Sequence, residues 1–196
     1  MKKFLALFAL LALLLTGCSS QKTMTIQTAK LTKAEENVVK LLGSANGSEY
    51  IFDFNLDDQV KSIQVNSYEL ADGAWKLTSG GGGLSMDEKS GRLALKFDKL
   101  GEELRIAIQT GDEISASEFR SPEPLGNYGS TATGSMPQAA IEYGKEIPLV
   151  MQVNTSQNAI RAIDPEGAFQ NPEEIAGYGH ERVCLLTVMF STEGLE

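Results

Sequence analysis

The stretch EYIFDFNLD, residues 49–57, indicates the fold class because apolar and polar side chains alternate from Phe52 onward. Phe52, Phe54 and Leu56 alternate with acids and an amide. Successive side chains of a β-strand point to opposite faces of the sheet, so this pattern predicts a strand with one buried face and one solvated face.

The same two-residue period recurs along the chain, with turn residues between the runs. Asp72-Gly73 separates two such runs and predicts a tight hairpin, and Gly144-Lys145 is expected to join a second hairpin. A parallel α/β fold would need long helices between strands, and the chain shows none. The pattern therefore predicts a mainly β protein, an antiparallel β-sandwich. The further strands are expected at 60–70, 75–77, 93–97, 104–108, 114–119, 139–143, 147–153, 159–163 and 181–191, the last central because both its faces are apolar.

Two short helices are expected to interrupt the strands. Thr32 followed three residues later by Glu35 is a capping box, and apolar residues at helical spacing predict a helix over 33–42. Asn171-Pro172 followed by two acids predicts a second short helix before the last strand, ending at Gly177.

The first 17 residues have the order of a signal peptide. Lys2 and Lys3 precede an uncharged run from 4 to 15, which is shorter than the roughly 20 residues that span a bilayer as a helix. The sequence LTGC, residues 15–18, resembles the lipobox of bacterial lipoproteins. The resemblance implies cleavage between Gly17 and Cys18, lipidation of Cys18 and anchoring on the extracytoplasmic face of the cell membrane. The alternative is an ordinary secretory signal with a coincidental cysteine.

The rest of the chain is similar to small lipoproteins of the cell envelope of Gram-positive gut bacteria. The strand 50–54, the hairpin from Tyr68 to Trp75 and the glycines that follow it carry this similarity. It implies an extracytoplasmic β-sandwich and brings no activity with it. The predicted organisation is a signal peptide (1–17), a lipidated cysteine with a polar tether (18–31) and one sandwich domain (32–196).

Charge narrows the choice of partners. The formal net charge is −9, and it becomes −11 when Lys2 and Lys3 leave with the signal peptide. Nucleic acid is an unsuitable partner, because its phosphates require Lys and Arg. Anionic lipid head groups repel such a domain, so the lipid on Cys18 is expected to hold it at the membrane.

Motifs for metals and phosphates are incomplete. Residues 53–58, DFNLDD, begin like a calcium loop, but Asp58 stands where glycine is needed and Gln64 where the bidentate Glu is needed. The glycines at 80–83 lack the G-K-[ST] ending of a phosphate loop and are expected to form a turn or a bulged edge. No cofactor or metal is expected.

Catalytic signatures are weak as well. His180 is the single histidine and no G-x-S-x-G occurs, so a non-catalytic protein is expected. A glycosidase built from two distant carboxylates stays open. Cys184 lies in an apolar run and is expected to be a buried hydrophobe, since a reactive thiol needs positive, exposed surroundings.

The candidate binding surface is the segment 121–137, expected to be a long loop. It is nearly uncharged and presents Leu125, Tyr128 and Met136. Trp75, just past a hairpin turn, is a second candidate, with packing as its alternative. We expect an interaction module for a protein, peptide or carbohydrate of the envelope. The alternatives are an accessory subunit of an envelope complex, marked by a broad apolar patch, and a hydrolase that acts on envelope material.

Overall fold

The computed structural model describes residues 23–43, 48–79, 83–121, 126, 128–161 and 164–195. These residues form two antiparallel sheets and three short helices. The elements, in chain order, are β1 (Thr25–Thr28), α1 (Lys33–Leu42), β2 (Ser48–Asn55), β3 (Ser62–Ala71), β4 (Ala74–Ser79), β5 (Gly83–Ser85), β6 (Ser90–Phe97), β7 (Glu103–Thr110), β8 (Glu113–Arg120), β9 (Ser130–Ser135), β10 (Gln138–Ala140), β11 (Glu146–Thr155), α2 (Pro165–Gln170), α3 (Pro172–Ala176) and β12 (Arg182–Ser191).

The strands are divided between sheet A and sheet B. Sheet A has the order β10-β1-β2-β6-β7-β8, and sheet B has the order β4-β3-β12-β11-β9, with β5 also paired to β3. The mainly β, sandwich-like fold class is thereby confirmed. Within the described residues no helix is long and apolar enough to cross a membrane.

The main core lies between the two sheets. Phe52 and Phe54 of β2 are fully buried, and the ring of Phe54 lies 5.7 Å from that of Phe190 in β12, so the contact joins the two sheets. Each such side chain contributes about 1.5–3 kcal/mol by leaving water. The alternation that predicted β2 is therefore the pattern that builds the core.

Several local predictions are confirmed. Helix α1 covers the predicted residues 33–42, and the Asp72-Gly73 hairpin joins β3 to β4 with φ of 55° and 75°, as a type I′ turn requires. Strand β12 lies between β3 and β11 in the middle of sheet B. Helix α3 begins at Pro172, but the helix α2 directly before it was not predicted.

The tether prediction is wrong for residues 25–28. Strand β1 lies between β2 and β10, and Ile26 is fully buried. Ile26 is the one buried residue of this four-residue strand, and it shares its face with the exposed Thr28. The strand is held by its pairing with two neighbours.

Three further predictions need correction. Residues 139–143 and 147–153 do not form a hairpin, because β10 pairs with β1 in sheet A whereas β11 lies in sheet B. The predicted loop 121–137 contains β9, which pairs with β11. No strand is present at 159–161 in the part of the chain that the structure describes.

A candidate interaction face on sheet A

Helix α1 owes its position to its own first turn and to one arginine of sheet A. The Thr32 hydroxyl accepts from the Glu35 backbone N–H at 3.3 Å, and the Glu35 carboxylate accepts from the Thr32 N–H at 2.7 Å, which completes the capping box. Arg92 of β6 donates to Glu35 at 2.6 Å and to Asp53 of β2 at 2.8 Å. The start of the helix is thus fixed above β2 and β6.

Electrostatics strengthen this attachment. The hydrogen bonds from Arg92 and then from Thr32 hold the pKa of Glu35 at about 2, below its usual 4.5, and the same carboxylates raise the pKa of Arg92. At the other end, Lys96 of β6 donates its ammonium to the Leu42 carbonyl at 3.1 Å, a favourable charge at a helix C-terminus. The helix therefore runs along β6, from Arg92 to Lys96.

The apolar side chains of α1 are largely bare. None of its ten residues is buried. Leu41 is 83% exposed, Leu42 73% and Val38 52%. A surface helix of a globular protein normally packs its apolar stripe against a core. The apolar stripe of α1 departs from this rule, because the described residues bury it only in part.

The sheet beside the helix offers a floor of small apolar residues. Ile51, Ala94, Ala107 and Ala116 are in register across β2, β6, β7 and β8 and share the outer face of sheet A. A groove of about 290 Å³ runs between the first three residues of this row and the helix, with Val38 and Leu42 on its wall. Charged side chains also line it, namely those of Glu49, Lys96 and Arg105. The wall and the floor together form one apolar trough.

Strand β8 continues this face beyond the helix. Every residue of β8 is exposed, so neither face of this strand is buried by the described residues. Ile114 and Ala116 lie on the outer face beside Ala107, and Arg105 of β7 pairs with Glu118 of β8 at 2.6 Å. We call α1, the outer face of β7 and the outer face of β8 the docking face.

The predicted binding residues lie elsewhere. Met136 is 6% exposed and belongs to the core between the sheets, so its prediction as a surface residue is wrong. It follows β9, whose pairing with β11 carries the chain inward; the backbone N–H of Met136 donates to the Leu149 carbonyl at 2.9 Å. Tyr128 is half-buried, and Leu125 lies outside the described residues.

Trp75 packs within the protein, which was the alternative to its predicted role as a binding residue. Its indole packs against the small cluster formed by the outer face of sheet B and α2, and its Nε1–H donates to the Ala168 carbonyl at 3.2 Å. Trp75 therefore attaches α2 to the sheet. Because α2 and α3 cover sheet B in this way, the outer face of sheet A is the barer of the two.

The remaining sequence candidates are also placed. Gly17, Cys18 and the glycines at 80–82 lie outside the described residues. Asp53 of the calcium-like stretch holds Arg92, and no group of three or more metal-ligating side chains occurs in the described part of the chain. Cys184 is buried, and burial raises the pKa of its thiol although Arg182 donates to its Sγ at 3.3 Å.

A second groove, of about 500 Å³ and with a mixed polar and apolar lining, lies between β10, β11 and α2. Glu146 lines it, and one oxygen of this carboxylate accepts from Asn66 at 2.5 Å and from Tyr68 at 2.7 Å. Burial and this bond raise the pKa of Tyr68. The carboxylate is thus tied to sheet B by two side chains of β3, which is a structural role.

No family model, no curated protein and no solved structure matches the chain.

Neither the apolar trough nor the exposure of strand β8 was predicted from the sequence. The helical spacing of Val38, Leu41 and Leu42 was the one available signal, because it marked an apolar stripe.

Proposed function

We propose that this chain is a lipid-anchored, extracytoplasmic, non-catalytic interaction module that binds a protein through its docking face. The observation that carries the proposal is the bare apolar stripe of α1 beside a row of small apolar residues that the described part of the chain leaves partly exposed. The predicted lipobox supports the location, since two acyl chains on Cys18 would give stable anchoring.

The chemistry of the face favours a protein over a sugar or a nucleic acid. Leu41, Leu42 and Val38 offer large apolar surfaces, and burying each of them contributes up to about 1.5–3 kcal/mol. The ion pair Arg105–Glu118 at the rim is exposed, so it adds selectivity rather than much affinity. An apolar centre with a charged rim is the usual anatomy of a protein interface.

The expected anchor also limits where the partner can be. Thr25, at the start of β1, is seven positions after Cys18, and an extended chain spans at most about 3.3–3.6 Å per residue. The domain is therefore held within roughly 25 Å of the membrane surface. A partner would be another component of the envelope at that height.

A permanent accessory subunit is the second candidate, because a broad apolar face suits an obligate complex as well as a transient one. The two are separated by co-purification: an accessory subunit stays with its complex through detergent extraction and washing, whereas a transient module dissociates.

The direct test is photocrosslinking in cells. A photoreactive residue replaces Leu41, and the same residue replaces Leu77 in a control, because Leu77 is 57% exposed on sheet B, away from the face. Protein adducts from position 41 and none from position 77 support the proposal. Equal labelling at both positions, or none at position 41 in folded protein, would contradict it.

The anchor needs its own test. In the Cys18→Ala variant the chain should leave the membrane fraction or accumulate uncleaved, because the lipid cannot be attached. Wild-type amounts of processed protein in the membrane fraction would refute the lipidation of Cys18.

A further inference from the structure

The uncovered part of the docking face has the width of one helix. Neighbouring strands lie about 4.8 Å apart and packed helices lie 8–10 Å apart, so one helix covers about two strands. Helix α1 lies above β2 and β6, as its bonds to Asp53 through Arg92 and to Lys96 show. The next two strands, β7 and β8, form a strip about 10 Å wide that the described residues leave largely uncovered. Every residue of β8 is exposed, and on the outer face of β7 Arg105 and Gln109 are exposed whereas Ala107 is half-buried.

We propose that the helix filling this strip is α1 of a second copy of this chain, so that the docking face is the interface of a two-fold dimer. This inference rests on the proposed function, and it identifies the protein bound at the docking face as a second copy of the chain. In the dimer two sheets A face each other across one layer that contains both α1 helices. Each α1 then lies on β2 and β6 of its own chain and on β7 and β8 of the other.

The face is self-complementary in shape. Val38 and Leu42 line the groove together with Ala107, so this side of α1 points along the sheet toward β7 and β8. A two-fold axis beside the helix, parallel to the strands, would place Val38 against its own copy. Leu41, the most exposed of the three, points away from its own sheet and would pack on the small residues Ala107 and Ala116 of the other chain.

The expected anchors favour this arrangement over the other obvious homodimer. A two-fold axis parallel to the strands leaves both β1 strands pointing the same way, so both tethers from Cys18 would reach one membrane. Pairing of β8 with its own copy, edge to edge and antiparallel, needs an axis perpendicular to the sheet and would send the two tethers in opposite directions.

The area predicts a weak dimer in solution and a populated one at the membrane. Ten helical residues are about 15 Å long, and two helices side by side are about 20 Å wide, which gives a footprint of roughly 300 Å². Stable interfaces bury about 800 Å² per partner. Anchoring both copies in one membrane would raise their effective concentration and compensate for the small area.

The test uses the full-length anchored protein in membranes, with two differently tagged copies co-expressed. Val38→Cys is treated with a short homobifunctional maleimide, and Leu77→Cys is the control, since the two native side chains are 52% and 57% exposed. Cys184 is buried and should not react. Mixed-tag dimers from Val38→Cys and none from Leu77→Cys are the expected result.

A second pair of variants tests the floor. In the Val38→Cys background, Ala116→Arg places a charge on the outer face of β8, whereas Ser115→Arg places it on the opposite face of the same exposed strand. We expect at least a tenfold loss of crosslinked dimer with Ala116→Arg and less than a twofold loss with Ser115→Arg. Equal losses would overturn the face-to-face arrangement.

The outcomes separate this inference from the proposed function. Adducts of the Leu41 photoprobe with a different protein, without mixed-tag dimers, would refute the dimer and leave the interaction module standing. Absence of both kinds of adduct in folded, anchored protein would refute both.

Discussion

Gly91→Ala should be one of the most damaging single-methyl changes in the molecule. Gly91 lies in β6, in register with Phe54 of β2, and a Cβ built on it comes within 2.2 Å of the Gln109 carbonyl oxygen and 2.6 Å of the Phe54 ring. Neither neighbour has room to move, because Phe54 is buried against Phe190 and Gln109 belongs to the paired strand β7.

The magnitude follows from these two contacts. Overpacking a core costs typically 1–3 kcal/mol, and separating β6 from β7 at one position forfeits a hydrogen bond of about 1 kcal/mol. We therefore expect Gly91→Ala to lower the free energy of unfolding by about 2–4 kcal/mol. For a domain of this size that corresponds to a fall in Tm of roughly 10 °C.

The assay is urea unfolding of the unlipidated mature chain with Cys18→Ser, followed by circular dichroism and by Trp75 fluorescence. Gly194→Ala is the control, since nothing lies within 4 Å of a Cβ there, and we expect a change within about 0.5 kcal/mol. Phe54→Leu removes part of the ring that blocks the methyl group. The double variant should therefore be at least about 1 kcal/mol more stable than the sum of the single changes predicts. Strict additivity, or a Gly91→Ala loss no larger than the control, would refute the steric argument.

Three further outcomes follow from the contacts described above. Because hydrogen bonds from Arg92 and then from Thr32 lower the pKa of Glu35 to about 2, the stabilisation from Glu35 is present above pH 4.5 and is lost as the pH falls toward 2. The protection of the α1 amides, that is, exchange corrected for its intrinsic pH dependence, should fall over that range. Arg92→Gln should reduce this pH dependence, because only the Thr32 bonds then remain; an unchanged dependence would contradict the ion pair. Native Cys184 should react with maleimide at pH 8 at least 100-fold more slowly than in urea, because burial raises the pKa of its thiol, and equal rates would contradict its burial. Trp75→Phe should cost about 1 kcal/mol through the lost indole bond to α2 and leave crosslinking at Leu41 unchanged; reduced crosslinking would implicate Trp75 in binding.

Features with short-range causes could be predicted from the sequence. The capping box at Thr32 and Glu35 set the start of α1, and the Asp72-Gly73 turn set the β3–β4 hairpin. Both depend on contacts between residues a few positions apart. The alternation around Phe54 likewise identified which side of β2 faces the core.

Features that depend on distant partners could not be predicted. Strand β9, with the sequence STATGS, has no apolar alternation and exists because β11 offers it a paired edge. Met136 was mistaken for a surface residue for the same reason. Strand β1 is a strand because β2 and β10 lie on either side of it.

The docking face escaped prediction for a different reason. The spacing of Val38, Leu41 and Leu42 defines an apolar stripe, but it does not tell whether the chain itself covers that stripe. Only the position of α1 above β2 and β6, with β8 left bare, shows that the cover is incomplete. Sequence periodicity shows which side chains of a helix could be buried together, but it does not show whether the folded chain buries them.

The central place of β12 in sheet B has a consequence for biogenesis. Its two neighbours, β3 and β11, have no common partner until β12 arrives, and roughly 110 residues separate the end of β3 from its start. At 5–20 residues per second the ribosome needs about 5–20 s to supply them. Throughout that interval sheet B lacks its central strand and stays open. If the predicted signal peptide directs export, this delay would favour it, because a translocation channel takes an unfolded chain.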